Sequence, residues 1–377
     1  MRTPLRIGMV GGGQGAFIGA VHRMAMALDG DFALVAGCFS SDPANTRSTA
    51  ASLGIAPERA YASFEAMAAA EALLPEAQRI HAVSIVTPNH VHAAPAQLFL
   101  ASGFHVICDK PLCASLAEGE TLAAAVARSG KQFALTHNYT GYPMVREARE
   151  LVHSGALGTL RKVYAEYLQG WLSSDLESSG QKQAAWRTDP ARSGPVGALG
   201  DIGTHAFNLL EHVSGLRVEQ LHAVLHTFVP GRRLDDDDMV LLRFGGGASG
   251  VLCSSQVCFG RENGLSLRLF GTKGALEWQQ ENPNQLQWTQ ADGTLKVLTR
   301  GGATTSAAAR SLTRIPTDHP EGYLEGFANI YRAFARSIRG ESDIDAAFPT
   351  VHDGLRGLRF IDSCLKSSAA SAWHPLA

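Results

Sequence analysis

The first third of the chain alternates short apolar runs with Ala-rich helical patterns, and this alternation limits the fold more than any other feature. The apolar runs lie at residues 5–10, 32–39, 81–87, 104–108 and 132–135. Amphipathic segments separate them at residues 44–53, 91–101 and 116–129. Strands that alternate with helices predict βαβ units, that is, an α/β fold with a parallel sheet covered on both faces. An eight-unit barrel is the alternative, but it needs about 200–250 residues, and the alternation fades after residue 155.

The remainder of the chain has a different pattern, in which runs of β character dominate. They lie at residues 160–169, 218–229, 239–244, 249–259, 265–270 and 275–280. Gly-containing turns at residues 245–247 and 271–274 favour antiparallel pairing. Two closing helices are expected at residues 320–339 and 350–368. The sequence therefore predicts an α/β domain over residues 1–137 and an α+β domain over residues 138–377, built on a large, mostly antiparallel open sheet.

Composition excludes several classes of protein. The 33 Lys and Arg residues are balanced by 35 Asp and Glu residues, so the chain has no basic field for nucleic acid. No apolar stretch approaches the length of a membrane-spanning helix, and no signal peptide is expected. The six cysteines form no C-x-x-C pair, so we expect reduced, structural thiols in a cytoplasmic protein.

A glycine-rich loop directly follows the first predicted strand. Gly11, Gly13 and Ala16 fit the pattern G-x-G-x-x-A. Glycines there permit a tight turn and close approach of the backbone to a pyrophosphate, and a small third residue permits close helix packing. A ligand-free turn is the alternative. We interpret residues 1–137 as a dinucleotide-binding Rossmann domain, with cofactor contacts from Gly11, Gly13, Gln14, Gly15, Ala16, Phe17 and Ile18.

The end of the second predicted strand leaves the choice between NAD and NADP open. NAD sites usually place an acidic residue there for the ribose hydroxyls. Here Ser40 and Ser41 occupy that place, and Asp42 comes slightly later. Arg47 lies about one helical turn beyond, so hydroxyls and an Arg could hold a 2′-phosphate, whereas Asp42 could serve NAD.

Two further groups of residues indicate redox chemistry. Lys110, in Asp109-Lys110-Pro111, follows the strand at residues 104–108, and ligands of open parallel sheets bind at the carboxyl ends of strands. Asp201 and His205 have helical i, i+4 spacing, which would place both side chains on one helix face. A His beside a carboxylate is a suitable base for an alcohol proton. A surface Lys, a core His or a metal site are the alternatives; no third ligand lies at an obvious spacing, so we predict no metal.

These residues together resemble the Gfo/Idh/MocA family, the glucose–fructose oxidoreductase and inositol dehydrogenase group. The resemblance spans nearly the whole chain. It rests on the glycine loop, Thr87-Pro88-Asn89 with His92, Asp109-Lys110-Pro111, and Asp201 with His205. The family's lysine motif is usually Glu-Lys-Pro, so Asp109 is a conservative departure. Two more departures are an insertion before Gly19-Ala20-Val21-His22 and Asn208 in place of an Asp.

The resemblance implies NAD(H) or NADP(H) chemistry on sugars, cyclitols and their derivatives, and a homodimer or homotetramer formed through the C-terminal sheet. It implies that Lys110 bonds the reacting oxygen, that His205 is the acid/base, and that Asp201 orients it or holds a hydroxyl. The implied cofactor contacts are Thr87, Pro88, Asn89, His92, Asp109, Lys110, Asn138, Trp186 and Arg187.

Between Asn138 and Asp201 the chain is polar and aromatic, which suits a polyhydroxylated ring, although any one aromatic could be core. We add Tyr139, Trp171, Gln183 and His319 to Lys110, Asp201 and His205 as candidate substrate-binding residues. The acidic run at residues 235–238 is expected to be a solvated turn between strands, because adjacent carboxylates point in different directions and suit a metal poorly.

The leading hypothesis is therefore an NAD(P)-dependent oxidoreductase that acts on a secondary alcohol of a sugar, glycoside or cyclitol. Two rivals belong to other classes. One is a hydrolase on the same fold that cleaves glycosides through a transient ketone without net cofactor reduction. The other is a catalytically silent, cofactor-binding regulator, which would have no chemical need for Lys110, Asp201 and His205.

Overall fold

The chain forms two compact units in a computed structural model that describes residues 2–341 and 348–376. Unit 1 comprises Met1–Asn138 and Tyr323–Leu355. Unit 2 comprises Tyr139–Gly322 and Arg356–Ala377. The sequence suggested one boundary near residue 137, whereas the segment Tyr323–Leu355 returns to unit 1.

Unit 1 contains a five-stranded parallel sheet with the strand order β2-β1-β3-β4-β5. Its strands are β1 (Leu5–Gly11), β2 (Phe32–Cys38), β3 (Ala82–Val86), β4 (His105–Cys108) and β5 (Phe133–Leu135). The helices that accompany them are α1 (Phe17–Leu28), α2 (Pro43–Ser52), α3 (Phe64–Leu73), α4 (Ala93–Ala101) and α5 (Leu116–Ser129). Every residue of β3 is buried, as expected for a strand covered on both faces. The predicted α/β fold with a parallel sheet is confirmed.

Unit 2 contains a nine-stranded sheet with the order β13-β12-β11-β10-β6-β9-β8-β7-β14. Its strands are β6 (Leu160–Leu168), β7 (Val218–His226), β8 (Asp237–Phe244), β9 (Ser249–Ser255), β10 (Gly264–Gly271), β11 (Gly274–Gln279), β12 (Gln285–Gln290), β13 (Leu295–Thr299) and β14 (His374–Pro375). Neighbouring strands are antiparallel except for β6 and β9, which are parallel. The predicted large, mostly antiparallel sheet is confirmed.

One face of this sheet is covered by helices and the other is open. The helices of this part of the chain are α6 (Pro143–His153), α7 (Lys182–Arg187), α8 (Pro190–Ser193), α9 (Thr204–Ser214) and α10 (Ala307–Ser311). Helix α9 packs on β6, β9 and β10. Burial alternates from residue to residue along β8, where Val240 and Leu242 are buried but Met239 and Leu241 are exposed. The open face therefore carries apolar side chains.

Two long helices follow, as the sequence predicts: α11 (Tyr323–Ile338) and α12 (Val351–Ala370). Helix α11 packs against α1 in unit 1, and its Phe327, Tyr331 and Phe334 enter the core of that unit. This packing explains why a segment so late in the sequence belongs with the first unit. The division between the units falls within α12, after Leu355.

The acidic run before and within β8 is not the solvated turn that the sequence suggested. Asp235, Asp236 and Asp238 are buried, and Asp237 is half-buried. Each buried carboxylate accepts hydrogen bonds from backbone or side-chain donors. A carboxylate can be buried when such donors replace water, and the local sequence did not reveal these distant partners.

Candidate functional site

The glycine loop of unit 1 is shaped by close backbone contacts. Gly11 has φ +84°, and a Cβ there would lie 2.9 Å from the carbonyl oxygen of Val86 at the end of β3. A Cβ at Gly19 in α1 would lie 2.3 Å from the Cα of Gly12. The pattern assigned the close helix packing to Ala16. The structure gives this role to Gly12 and Gly19, because the insertion moves α1 along by several residues.

The inserted part of the loop is held by α2. The Gln14 backbone N–H is 3.1 Å from both Asn45 Oδ1 and Thr49 Oγ1, and the Gln14 carbonyl accepts from Asn45 Nδ2. Phe17, at the first position of α1, is 63% exposed. The first turn of α1 has no side-chain cap and no acidic residue, so its N–H groups suit a phosphate. The Gln14 amide, by contrast, is engaged within the protein.

The segment between β2 and α2 has a structural role in addition to its candidate one. Asp42 caps α2, since its carboxylate accepts from the Ala44 N–H at 2.9 Å. The Ser40 hydroxyl accepts from the Asp42 N–H at 3.1 Å. Ser41 and Arg47 are exposed. The candidate contacts for a 2′-phosphate (Ser40, Ser41 and Arg47) and the candidate contact for ribose hydroxyls (Asp42) therefore lie at or near the surface of unit 1.

His92, one of the expected cofactor contacts, is fully buried and connects two loops. Its Nδ1 is 2.7 Å from the carbonyl oxygen of Pro111, and its Nε2 is 2.8 Å from the carbonyl oxygen of Thr87. These carbonyls belong to the loops after β4 and β3. Both ring nitrogens are thus occupied by backbone, and His92 holds the two loops together.

Lys110 follows β4, between Asp109 and Pro111, and the Lys110–Pro111 peptide bond is cis. Asp109 Oδ1 accepts from Thr136 Oγ1 at 2.8 Å and lies 3.6 Å from His22 Nε2. Burial raises the pKa of the Asp109 carboxyl, but the nearby His22 imidazole, the Lys110 charge and the Thr136 hydrogen bond lower it more, so the pKa lies below its usual range. Asp109 therefore supports this edge of the sheet as a carboxylate.

A buried hydrogen-bond chain begins at His22, beside Asp109, and extends into the core of unit 1. His22 Nδ1 is 2.8 Å from the Tyr331 hydroxyl, which is 2.9 Å from Ser84 Oγ. This chain of hydrogen bonds was not predictable from local sequence patterns. The only signal was His22 at the end of the glycine motif, because Ser84 and Tyr331 are far apart in the sequence.

The edge of the sheet where these loops lie fits a dinucleotide. Within the described residues, Thr87 Oγ1 and Asn138 Nδ2 are buried side-chain atoms without a hydrogen-bond partner. They follow β3 and β5, which lie on either side of β4, and the carboxyl ends of all strands in a parallel sheet share one edge. A buried polar atom without a partner is costly, and a polar ligand such as the nicotinamide carboxamide would remove that cost.

In unit 2, Asp201 lies in a π-helical turn, Leu199–Gly203, that precedes α9. Its Oδ2 accepts from Arg187 Nε at 3.0 Å and from Gln256 Nε2 at 2.9 Å. The sequence placed Asp201 and His205 on one α-helix, but a π turn has i→i+5 bonds, so regular α spacing does not apply to this pair. Such turns are frequent at functional sites. Gln256 is a buried site residue that our sequence analysis missed.

Arg187 lies at the centre of an aromatic and amide cluster. Its Nη1 donates to Gln183 Oε1 at 2.6 Å, and the same oxygen accepts from Trp186 Nε1 at 3.2 Å. The guanidinium carbon lies 4.3 Å from the ring centroid of Trp186 and 5.8 Å from that of Trp171. The structure thus brings together Trp171, Gln183, Trp186, Arg187 and Asp201, which the sequence had named separately.

His205 is buried among tyrosines. Its ring centroid lies 4.9 Å from that of Tyr139, edge to face. The Tyr139 and Tyr167 hydroxyls are 2.5 Å apart, and Tyr167 donates to Asn263 Oδ1 at 2.6 Å. Burial raises the pKa of Tyr139 despite its hydrogen bonds, so the phenol stays protonated. Tyr167 and Asn263 come from a distant strand and loop, and no sequence motif indicated them.

Two further candidates have contrasting positions. Asn208 lies one turn after His205, and its Oδ1 is buried without a hydrogen-bond partner in the described part of the chain. This oxygen can accept from a substrate hydroxyl. His319 is exposed, in a loop held by Arg300, whose guanidinium donates to the carbonyls of Ile315 and Pro316. None of the contacts described above for the Asp201 cluster involves His319.

The described residues show neither a metal cluster nor a membrane span. No three His, Cys, Asp or Glu side chains of residues 2–341 and 348–376 are grouped as metal ligands. No helix among these residues is long and apolar enough to cross a membrane. All six cysteines are free thiols.

Comparisons with known proteins agree with this geometry. Residues 5–137 match the model of an oxidoreductase family with an NAD-binding Rossmann fold. Residues 145–277 match the model of the GFO/IDH/MocA C-terminal domain. A crystal structure of an oxidoreductase from Sinorhizobium meliloti is 49% identical, with a TM-score of 0.91 over 99% of both chains.

Two relatives have named ligands or activities. An inositol dehydrogenase homologue from Azotobacter vinelandii, crystallised with NADH and myo-inositol, is 34% identical, with a TM-score of 0.91 over 99% of this chain and 98% of that one. Levoglucosan dehydrogenase from Pseudarthrobacter phenanthrenivorans is 30% identical over 75% of both chains. The chain therefore belongs to the Gfo/Idh/MocA family, and it is an oxidoreductase with an NAD-binding Rossmann domain.

Proposed function

We propose that this enzyme transfers a hydride between NAD(P) and a secondary alcohol or ketone of a sugar, glycoside or cyclitol. The observation that carries this proposal is the cluster in unit 2, where the Asp201 carboxylate is held by Arg187 and Gln256 among tryptophans and amides. Aromatic faces cover the C–H faces of a sugar ring, and amides bond its hydroxyls. The relatives named for levoglucosan and myo-inositol support the same substrate class.

His205 and Lys110 carry the proposed acid–base roles. His205 takes the hydroxyl proton during oxidation and returns it during reduction, while the Lys110 ammonium polarises the reacting oxygen. Asp201 orients His205 or holds a neighbouring hydroxyl. When bound, the nicotinamide supplies the hydride acceptor or donor at C4.

The substrate we propose is neutral. The Arg187 charge is neutralised by Asp201 at 3.0 Å and covered by the Trp186 ring. A phosphate would need free donors and positive charge. This pairing favours an uncharged polyol over a sugar phosphate.

In unit 1 we propose that the first turn of α1 receives the pyrophosphate. Gly11, Gly13, Gly15, Ala16, Phe17 and Ile18 form this part of the site, with Thr87, Pro88, Asn89 and Asn138 at the nicotinamide end. Ser40, Ser41, Asp42 and Arg47 offer contacts for either NAD or NADP at the ribose end.

A homodimer or homotetramer formed through the open face of the nine-stranded sheet is also proposed. Apolar side chains on this face are exposed, among them Val224, Met239, Leu241, Phe270 and Val297. Exposed apolar side chains grouped on one face, as Val224, Met239 and Leu241 are on paired strands, mark interaction sites. We place the enzyme in the cytoplasm, because its six cysteines are free thiols.

The test is absorbance at 340 nm with NAD⁺ or NADP⁺ and a panel of cyclitols, free sugars and glycosides. Reduced cofactor should accumulate with at least one compound, and Lys110→Ala and His205→Ala should abolish most of that activity. Near-wild-type turnover in both variants would contradict the assigned roles. Release of an aglycone without net cofactor reduction would instead identify a hydrolase.

A further inference from the structure

The acidic run at residues 235–238 makes buried hydrogen bonds that have no direct part in the proposed hydride transfer. Asp235 is buried, and its carboxylate accepts from the Gly197 N–H at 2.7 Å and the Leu199 N–H at 2.8 Å. Its backbone carbonyl accepts from the Ala198 N–H at 3.0 Å. One residue therefore binds three successive backbone amides at the start of the π-helical turn that carries Asp201.

The contact between Asp235 and this segment is close enough to require glycine. A Cβ at Gly197 would lie 2.2 Å from the Asp235 carbonyl oxygen, which no side chain allows. The Gly197 carbonyl in turn accepts from the Asp201 N–H at 3.0 Å. A short path of hydrogen bonds thus runs from the Asp235 carboxylate to the Asp201 backbone.

Asp238 supports the other end of the same turn. It is buried beside Ser254 of β9, whose N–H donates to Asp238 Oδ1 at 3.2 Å and whose hydroxyl donates to Asp238 Oδ2. A Cβ at Gly203 would lie 2.7 Å from Ser254 Oγ, so the turn rests directly on this serine. Asp238 fixes the serine, and the serine limits where Gly203 can lie.

We propose that Asp235 and Asp238 are positioning residues that hold residues 197–203, and through them Asp201 and His205, in their working geometry. The inference rests on the proposed function only for the roles of Asp201 and His205. A π turn satisfies its backbone less regularly than an α-helix, so the Asp235 acceptors at its first end and the packing of Gly203 on Ser254 at its other end stabilise it.

The four acids of the run provide their own controls. Asp236 is as buried as Asp238, but its carboxylate accepts from the Phe228 and Val229 N–H groups and from Arg232, in a different loop. Asp237 is half-buried at the start of β8. Substitution of Asp236 removes a carboxylate of similar burial whose hydrogen bonds do not involve the turn.

The first test is hydrogen–deuterium exchange in the full chain with NAD⁺ present. Asp235→Asn leaves one acceptor oxygen for two N–H donors and turns an NH₂ group toward the other. We expect exchange in peptides covering residues 197–203 to become more than tenfold faster. Asp236→Asn should speed exchange near residues 228–232 instead, and Asp237→Asn should change neither region. Unchanged exchange at residues 197–203 in Asp235→Asn would overturn the proposal.

If Asp235→Asn does not fold, Ser254→Ala tests the opposite end of the turn with a smaller change. It removes the hydroxyl between Asp238 and Gly203, and exchange around Gly203 should rise while the rest of the chain keeps its wild-type rates. Wild-type rates around Gly203 would contradict the role of Asp238.

Kinetics add a readout that a general loss of stability would not produce. With whichever polyol the wild type oxidises, Asp235→Asn should lower kcat by about tenfold to a hundredfold through misplacement of Asp201 and His205. The KM for NAD⁺ should stay unchanged, as should both constants in Asp237→Asn. An unaltered kcat in Asp235→Asn would overturn the positioning role. If the wild type neither oxidises a polyol nor reduces the corresponding ketone with NAD(H) or NADP(H), the proposed function fails, while the exchange experiment still decides whether the two acids hold the turn.

Discussion

Asp109 in unit 1 is half-buried and Asp238 in unit 2 is buried, and the net pKa shifts of these two carboxyl groups are opposite. In unit 1, burial raises the pKa of Asp109, but His22 and Lys110 lower it further, and the pKa ends below its usual range. In unit 2, burial raises the pKa of Asp238 well above its usual range, because the Ser254 hydrogen bonds oppose it only in part and the Asp235 charge adds to it. Positive partners, rather than burial, decide whether a buried acid stays charged.

The two candidate sites also differ in the kind of groups that form them. Unit 1 builds its site mainly from backbone: glycines at close approach, a helix N-terminus, and loop carbonyls joined by His92. Unit 2 builds its site from side chains, in networks around Arg187 and Tyr139. Substitutions in the two units should therefore have different consequences.

The largest effect should separate chemistry in unit 2 from cofactor binding in unit 1. His205→Asn removes the proposed acid/base, and kcat should fall by about 10²–10⁴-fold, the usual contribution of a positioned proton-transfer group. The Kd for NAD⁺, measured by fluorescence titration, should remain at the wild-type value. His153→Asn, an exposed histidine on α6, serves as the control. A weakened NAD⁺ affinity in His205→Asn would show that His205 contributes to cofactor binding as well as to chemistry.

A second effect tests the backbone packing of unit 1. Gly19→Ala places a Cβ 2.3 Å from Gly12 Cα, where no flexible side chain can move aside. Overpacking of this kind costs about 1–3 kcal/mol of unfolding free energy. Gly357→Ala is the matched control in α12, because its Cβ would meet nothing within 4 Å, and there Ala should stabilise by about 0.5–1 kcal/mol. Urea unfolding measures both, and equal stability of the two variants would refute the close contact.

A third experiment uses the opposite pKa shifts of the two acids. The folded-state pKa of Asp109 lies below its unfolded value, so its stabilisation is present above pH ~4 and is lost as pH falls. The folded-state pKa of Asp238 lies above its unfolded value, so its ionisation lowers stability as pH rises through that window.

Asp109→Asn should therefore cost more unfolding free energy at pH 5 than at pH 3, and Asp238→Asn should cost less at pH 8 than at pH 5. Each change should be at least about 1 kcal/mol, the value of one pKa unit. Urea unfolding at the three pH values measures it. A pH dependence of the same sign in both variants would remove the contrast between the units.

The smallest effect concerns the Arg187 cluster. Arg187→Lys keeps the charge but loses the planar stacking on Trp186 and the fork that bonds Asp201 and Gln183. The KM for the polyol should rise about fivefold, from roughly 1 kcal/mol of lost interaction, with no change in NAD⁺ affinity. Arg233→Lys, at an exposed surface pair, should leave KM unchanged. An unchanged KM in Arg187→Lys would show that the charge, which lysine keeps, matters and the stacking does not.

The sequence predicted best where a local pattern has a direct structural meaning. The apolar runs at residues 5–10 and 81–87 became β1 and β3, and the Ala-rich segment at residues 116–129 coincides with α5. Short strands at residues 285–290, 295–299 and 374–375 were missed, because their patterns are polar or very short. Period and turn residues reveal an element only when one of its faces is clearly apolar.

The individual roles of site residues were less predictable. His92 belongs to a recognisable motif, yet it connects two loops through their carbonyls. Gln256 has no motif at all, yet it donates to Asp201. A hydrogen bond between residues that are 55 positions apart leaves no trace in the spacing of either one.

The sequence by itself determined the fold class, the place of the glycine loop, and the residue types available for hydride chemistry, because these depend on neighbours within a few positions. Only the tertiary structure decided which acids are buried, which glycines touch and what holds Asp201. Asp235 is separated from Gly197 by 38 positions, and Tyr331 from His22 by 309. Burial and charge depend on such distant partners, and these partners meet only when the chain has folded.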